Sequence, residues 1–263
     1  MLRIDQVVGC VSHDVLKDIC EKRPEKFKLN VNGYRVSGIS QMLPPVRHFP
    51  EVFSELSGIP DKAFCMKSVK REFDKSFLDE LRENRGDVIV VDQGIDFVEQ
   101  FKLISEYGVV NADSLWCVGN DAVCEKARNA LKLMSIDDDP LDFAQRMDFY
   151  MDFGHRIIDI YGTDKIIVNV QKCAVQFRAK DGCIRDFPGK QYTLDLKRRF
   201  DWMGDVLRRT YARCHFIELP GPVYSSADNL NGCFQLHPER AVVDRLKTMF
   251  EDELERIDSN LGV

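Results

Sequence analysis

A chain of 263 residues with 44% hydrophobic and 30% charged residues has ordinary globular composition and ample length for a large core. Its net charge of −6 gives no global support to extended nucleic-acid binding, although a local phosphate site stays open. No stretch approaches the roughly 18 apolar residues of a membrane span, and the opening MLRIDQVVGC lacks the basic-then-apolar build of a secretory signal.

Residues 4–9 read as a short strand ending at Gly9, with Ser12 placed to cap a helix that runs to about Cys20. Residues 28–39 read as extended pieces around a turn at Asn32-Gly33. Pro44, Pro45, Pro50 and Pro60 mark residues 43–62 as a long excursion, a lid or wall over an active edge. Phe73, Phe77, Leu78 and Leu81 share one face of a helix predicted over 71–84 and stopped by Gly86. Four β-branched residues between Asp87 and Asp92 predict a buried parallel strand, followed by a helix over 96–106. Helices are expected at 120–133 and 140–161, and a central strand at 165–170. Residues 173–188 read as a hairpin turning at Asp181-Gly182. The stripe Leu196, Phe200, Met203, Leu207 and Tyr211 defines a helix over 193–213. A strand at 215–219, a loop over 220–236 and a last helix at 238–257, with Pro238 in its first position, complete the order.

Strands and helices alternate along the whole chain. That order predicts one α/β domain spanning 1–263, with a mainly parallel central sheet and helices on both faces. Cysteines stand at 10, 20, 65, 117, 124, 173, 183, 214 and 233, an odd and scattered set without a CxxC pair. This usage points to reduced thiols in the cytoplasm, not to a disulfide framework or a zinc site.

In an open α/β sheet ligands bind beyond the carboxyl ends of the strands. This rule selects Gly9 to Asp14, Asp92 to Asp96, Asn169 to Lys172, and the loop ending at His237. A thiol or hydroxyl in the first turn would sit near backbone amides and the positive end of a helix, which favour a thiolate and an oxyanion. Taken by itself, this turn reads first as a small buried residue at Cys10 and a helix cap at Ser12, since caps are common and nucleophiles rare. His237, just before the last helix, suits a general base and would face the same edge as Cys10. Asp92 and Asp96 read as an acid pair or metal ligands, or as strand end and helix cap. His13, His48, His155 and His215 show no metal-ligand spacing, and no metal or cofactor is expected. Gly119-Asn120-Asp121 follows no strong strand and reads as a turn. The absence of GxGxxG or Walker spacing places nucleotide binding at the Gly9 turn last among the functions considered.

Val8-Gly9-Cys10-Val11-Ser12-His13-Asp14, Arg35-Val-Ser37-Gly38-Ile-Ser40, Asp87 to Asp92, and Asn231 to His237 together resemble the SGNH (GDSL-type) hydrolase superfamily. More closely, they resemble a bacterial family within it that opens with Gly-Ser-Cys-Val-Ser-Arg-Asp and often accompanies surface-polysaccharide genes. The resemblance implies an SGNH/flavodoxin-like three-layer sandwich. It also implies an esterase or O-acetyltransferase acting on a glycan or an acylated small molecule. It makes Cys10 the nucleophile with Ser12 as fallback, and His237 the base. Gly9, Gly38 and Gly94 would then line the oxyanion and substrate site, with Asp96 where an asparagine is usual. Phe234 stands where the superfamily has the aspartate that orients the histidine, leaving Asp228, Glu239 or no acid in that role. A non-catalytic module that binds a glycan or a partner enzyme is the alternative.

Overall fold

The computed structural model describes residues 1–46, 63–92, 96, 101–104, 108–111, 143–229 and 233–262. Five strands form the central sheet: β1 (Leu2–Val8), β2 (Phe27–Tyr34), β3 (Val88–Val91), β6 (Ile166–Val170) and β9 (His215–Glu218). They lie in the order β2-β1-β3-β6-β9, and every neighbouring pair is parallel. Period-two alternation sends Val88 and Val90 to one face and Ile89 and Val91 to the other. Both faces are covered by helices, so the four-residue run is buried throughout, as expected for a parallel sheet.

Helices α1 (Cys10–Lys22) and α7 (Arg240–Leu261) cover the first face through Val15, Leu16 and Ile19 and through Leu246, Phe250 and Leu254. On the other face lie α2 (Gly38–Gln41), α4 (Phe77–Glu83), α5 (Phe143–Tyr161) and α6 (Lys190–Thr210). The architecture is therefore an α/β three-layer fold.

Several local expectations change. Asn32-Gly33 makes no turn, because β2 runs unbroken beside β1 with a register shift between Ile4 and Gln6. Gly33 serves close packing there: a Cβ would lie 2.2 Å from the Gln6 carbonyl oxygen and 2.5 Å from Phe77 Cζ. The helix over 71–84 is two helices, α3 (Ala63–Asp74) and α4, separated at Lys75 in the left-handed region (φ 52°). Lys75 Nζ is buried there, donating to Glu72 Oε1 (2.8 Å) and Ser40 Oγ (2.7 Å). Within the helix expected over 96–106, Phe101–Ile104 is strand β4, paired antiparallel with β5 (Gly108–Asn111), so pairing between the two short segments overrides helical spacing. Ser12 does not cap α1: Gly9 is the cap, and the helix begins at Cys10. Pro238 bridges to Ser225, so the last helix starts two residues later, at Arg240.

The hairpin is present as β7 (Gln176–Arg178) and β8 (Ile184–Asp186), and Gly182 supplies the left-handed turn at φ 83°. Strand β10 (Tyr224–Ser226) adds to β7 in parallel, making a small second sheet that carries the chain toward His237. Most of the proline-rich excursion, the helix at 120–133, and Gly94 lie outside the described residues. Among those residues no helix is long and apolar enough to cross a membrane.

Candidate active site

The chain leaves β1 by α1 on one face, returns in β2, and crosses to the other face before β3. The carboxyl ends of β1 and β3 are therefore the switch point, where helices diverge and a crevice opens. Asp92 follows β3 there, fully buried. Its carboxylate accepts from the Gly9 N–H (2.9 Å), Ser12 Oγ (2.6 Å) and Gln171 Nε2 (2.6 Å). Ser12 Oγ in turn accepts from Asn169 Nδ2 at 2.9 Å. This network ties the ends of three strands to the first turn of α1. It also places Ser12 inside the protein, bound to Asp92 and not to His237, which removes the geometric basis for Ser12 as nucleophile.

Cys10 has a different environment. As the first residue of α1 it is half-buried, and its Sγ lies 3.7 Å from His237 Nε2. The two residues are 227 positions apart, and the fold brings them together at the switch point. Burial pushes the Cys10 thiol above its ordinary range. The Arg35 cation pulls it down, Asp92 and Asp14 raise it, and the Val11 amide lowers it. Cys10 Sγ and His237 Nε2 thus form a thiol–imidazole pair, two groups whose chemistry suits proton exchange.

His237 is positioned through its backbone. Its carbonyl accepts from Ser225 Oγ (2.6 Å) and Asn229 Nδ2 (3.4 Å), and its N–H donates to the Phe234 carbonyl (3.1 Å). The Glu239 N–H donates to the Tyr224 carbonyl at 2.8 Å, fastening the segment to the small sheet. The Phe234 ring meets the imidazole edge-on at 5.4 Å while remaining 56% exposed. Of the acids considered for orienting His237, Glu239 accepts from Arg178 Nε at 3.0 Å. The Asp228 carboxylate makes no hydrogen bond among the described residues and lines the adjoining cavity.

The remaining site residues gather elsewhere. Asp96 is fully buried and accepts from Ser37 Oγ, the Gly38 N–H (3.0 Å) and the Ile39 N–H (3.3 Å). The Gly38 amide is therefore engaged by Asp96 and is not presented to the Cys10 thiol as an oxyanion donor. Asp96 closes the start of α2, taking its donors from residues 37–39. Among the described residues no cluster of three or more His, Cys, Asp or Glu is arranged to hold a metal ion.

Comparison with protein-family models, with curated proteins and with solved structures returns no match for this chain.

Beside the dyad a cavity of about 360 Å³ opens between α1 and α7, lined by Val11, Asp14, Asp228, His237, Val243 and Lys247 among others. It reaches the imidazole and offers both apolar and hydrogen-bonding walls, the mixture typical of small-ligand sites. Gln171, Asn169, Ser225 and Asn229 were not singled out individually by sequence. In sequence, residues 169–172 read only as a turn at a strand's carboxyl end, and Ser225 and Asn229 belong to a loop whose partners are set by the small sheet.

Proposed function

We propose that this protein is a thiol-dependent acyl-transfer enzyme of the SGNH type, an esterase or O-acyltransferase with Cys10 as nucleophile and His237 as base. The carrying observation is the 3.7 Å approach of Cys10 Sγ to His237 Nε2 at the switch point of a flavodoxin-like sheet. In this reading His237 takes the Cys10 proton and the thiolate attacks the ester carbonyl carbon. The carbonyl π electrons move to oxygen, and collapse expels the alcohol, protonated by His237. The thioester on Cys10 is then attacked by water or by a sugar hydroxyl, which His237 deprotonates as the new C–O bond forms; collapse breaks the C–S bond, and the released Cys10 sulfur takes the proton back from His237. The cavity beside His237 would hold the alcohol portion, and Phe234 offers an exposed aromatic face for a sugar ring. A polysaccharide or glycoconjugate substrate rests on these features and on the sequence resemblance.

The test is turnover of an aryl acetate and an acetylated sugar by the purified chain. Cys10→Ala and His237→Ala are expected to cut kcat/KM by about 10²–10⁴-fold, the usual worth of a positioned base or nucleophile. Turnover that survives both substitutions would sink the assignment. A second reading, a non-catalytic glycan- or partner-binding module, is favoured by the engagement of the Gly38 amide with Asp96. Saturable binding of an oligosaccharide without turnover, equal in the protein and its Cys10→Ala variant, would select it.

A further inference from the structure

Arg35 lies directly beyond β2, in the left-handed region at φ 59°, where a side chain is rarely found. Its N–H donates to the Val8 carbonyl at 3.0 Å, continuing the register in which Val8 pairs with Tyr34. The backbone of Arg35 is thus level with the Gly9–Cys10 turn. Its side chain folds back on the preceding residue: Nε donates to Tyr34 Oη at 3.0 Å, and the guanidinium carbon lies 5.4 Å from the Tyr34 ring centre. The Tyr34 ring stacks on His13 at 4.4 Å and 17°. His13 stands one helical turn after Cys10, on the same side of α1. Backbone, hydroxyl and ring stack therefore pin a permanent cation beside the first turn of α1.

We propose that Arg35, with Tyr34 as its positioning residue, supplies the positive charge that holds the Cys10 thiolate. The need for one is plain from the surroundings. Burial opposes a charge on the sulfur, the Asp92 carboxylate stands next to the turn, and His237 is the only base in contact with the thiol among the described residues. When the S–H proton passes to His237 Nε2, the sulfur's negative charge would develop near a guanidinium, held at Tyr34, that keeps its charge at every physiological pH. Of the influences acting on the thiol, Arg35 is the strongest that favours ionisation. The inference deepens the acyl-transfer reading, but its test needs no substrate.

The test is the pH dependence of iodoacetamide alkylation, read by mass spectrometry on the Cys10 peptide alone. Arg35→Gly suits the left-handed backbone and removes the cation; Arg35→Gln keeps a polar chain without charge; Arg35→Lys restores the charge. The alkylation midpoint is expected to rise by about one pH unit or more in the Gly and Gln variants, and by less than half as much in Arg35→Lys. A midpoint unmoved in either neutral variant that retains the parent's melting transition would overturn the proposal. Loss of the acyl-transfer reading, through turnover that survives Cys10→Ala, would leave this alkylation result standing, so the two failures are distinguishable.

Discussion

Asp92 ties together the chain segments around the Gly9–Cys10 turn. Its carboxylate collects the Gly9 amide, the Ser12 hydroxyl and the Gln171 amide, all in a fully buried position. Asp92→Asn replaces one acceptor oxygen with a donor that faces donors. Urea unfolding is expected to show a loss of about 2 kcal/mol, the cost of leaving buried donors unmatched. The same substitution removes a negative charge that opposes ionisation of Cys10. The Cys10 alkylation midpoint should therefore fall, opposite in sign to the Arg35 variants, and an unchanged or raised midpoint would contradict this account. At this scale the sequence exposed Cys10 and His237 through position alone, one after the first strand and one before the last helix. Ser12 misled because its type and spacing suit a cap. Its actual role depends on Asp92 and Asn169, 80 and 157 residues away.

At the scale of elements, the short helix α2 is organised around Asp96. Burial pushes the Asp96 carboxyl up to about 7, against the opposing pull of Ser37, Ile39 and Gly38. In the unfolded chain it would titrate near 4. Between those values the folded protein holds a proton that the unfolded chain has lost, so stability from this group falls as pH rises from about 4 to about 7 and levels off above. Asp96→Asn should flatten that part of the curve. Urea midpoints measured at several pH values would check it, and parallel profiles for the two proteins would refute it. The central strands and long helices were readable because burial on one or both faces leaves a period in the sequence. The hairpin was readable because Asp181-Gly182 marks a turn. The β2 error shows the limit: Gly33 resembles turn chemistry, yet glycine is needed there because Phe77 and the Gln6 backbone approach from other elements.

Over the whole molecule the two edges of the sheet divide their duties. The carboxyl edge holds the Cys10–His237 dyad. The amino edge holds Asp5, fully buried, which accepts from the Val31 N–H (2.7 Å), Asn30 Nδ2 (2.8 Å), the Gly86 N–H (2.5 Å) and Tyr161 Oη. It joins β1, β2, the approach to β3 and the end of α5. Asp5→Ala would strand several buried donors, and calorimetry is expected to show a loss of about 3–4 kcal/mol. Activity per folded molecule should be unaffected, because the residue lies at the edge opposite the dyad. A drop in specific activity with little loss of stability would show that the two edges are coupled.

From sequence one could read the class of fold, a mainly parallel central sheet with helices on both faces, and the edge on which chemistry would be sought. Those properties are written in local periods and in the order of elements, which burial imposes residue by residue. Tertiary structure decided which groups meet: the Cys10 and His237 side chains, the Ser12 and Asp92 side chains, the Gly38 N–H with the Asp96 carboxyl, and the Arg35 N–H with the Val8 carbonyl before the Gly9–Cys10 turn. The reason is physical. A pairing between residues tens or hundreds of positions apart is set by strand register and helix packing, and neither leaves a mark in the spacing of the residues themselves.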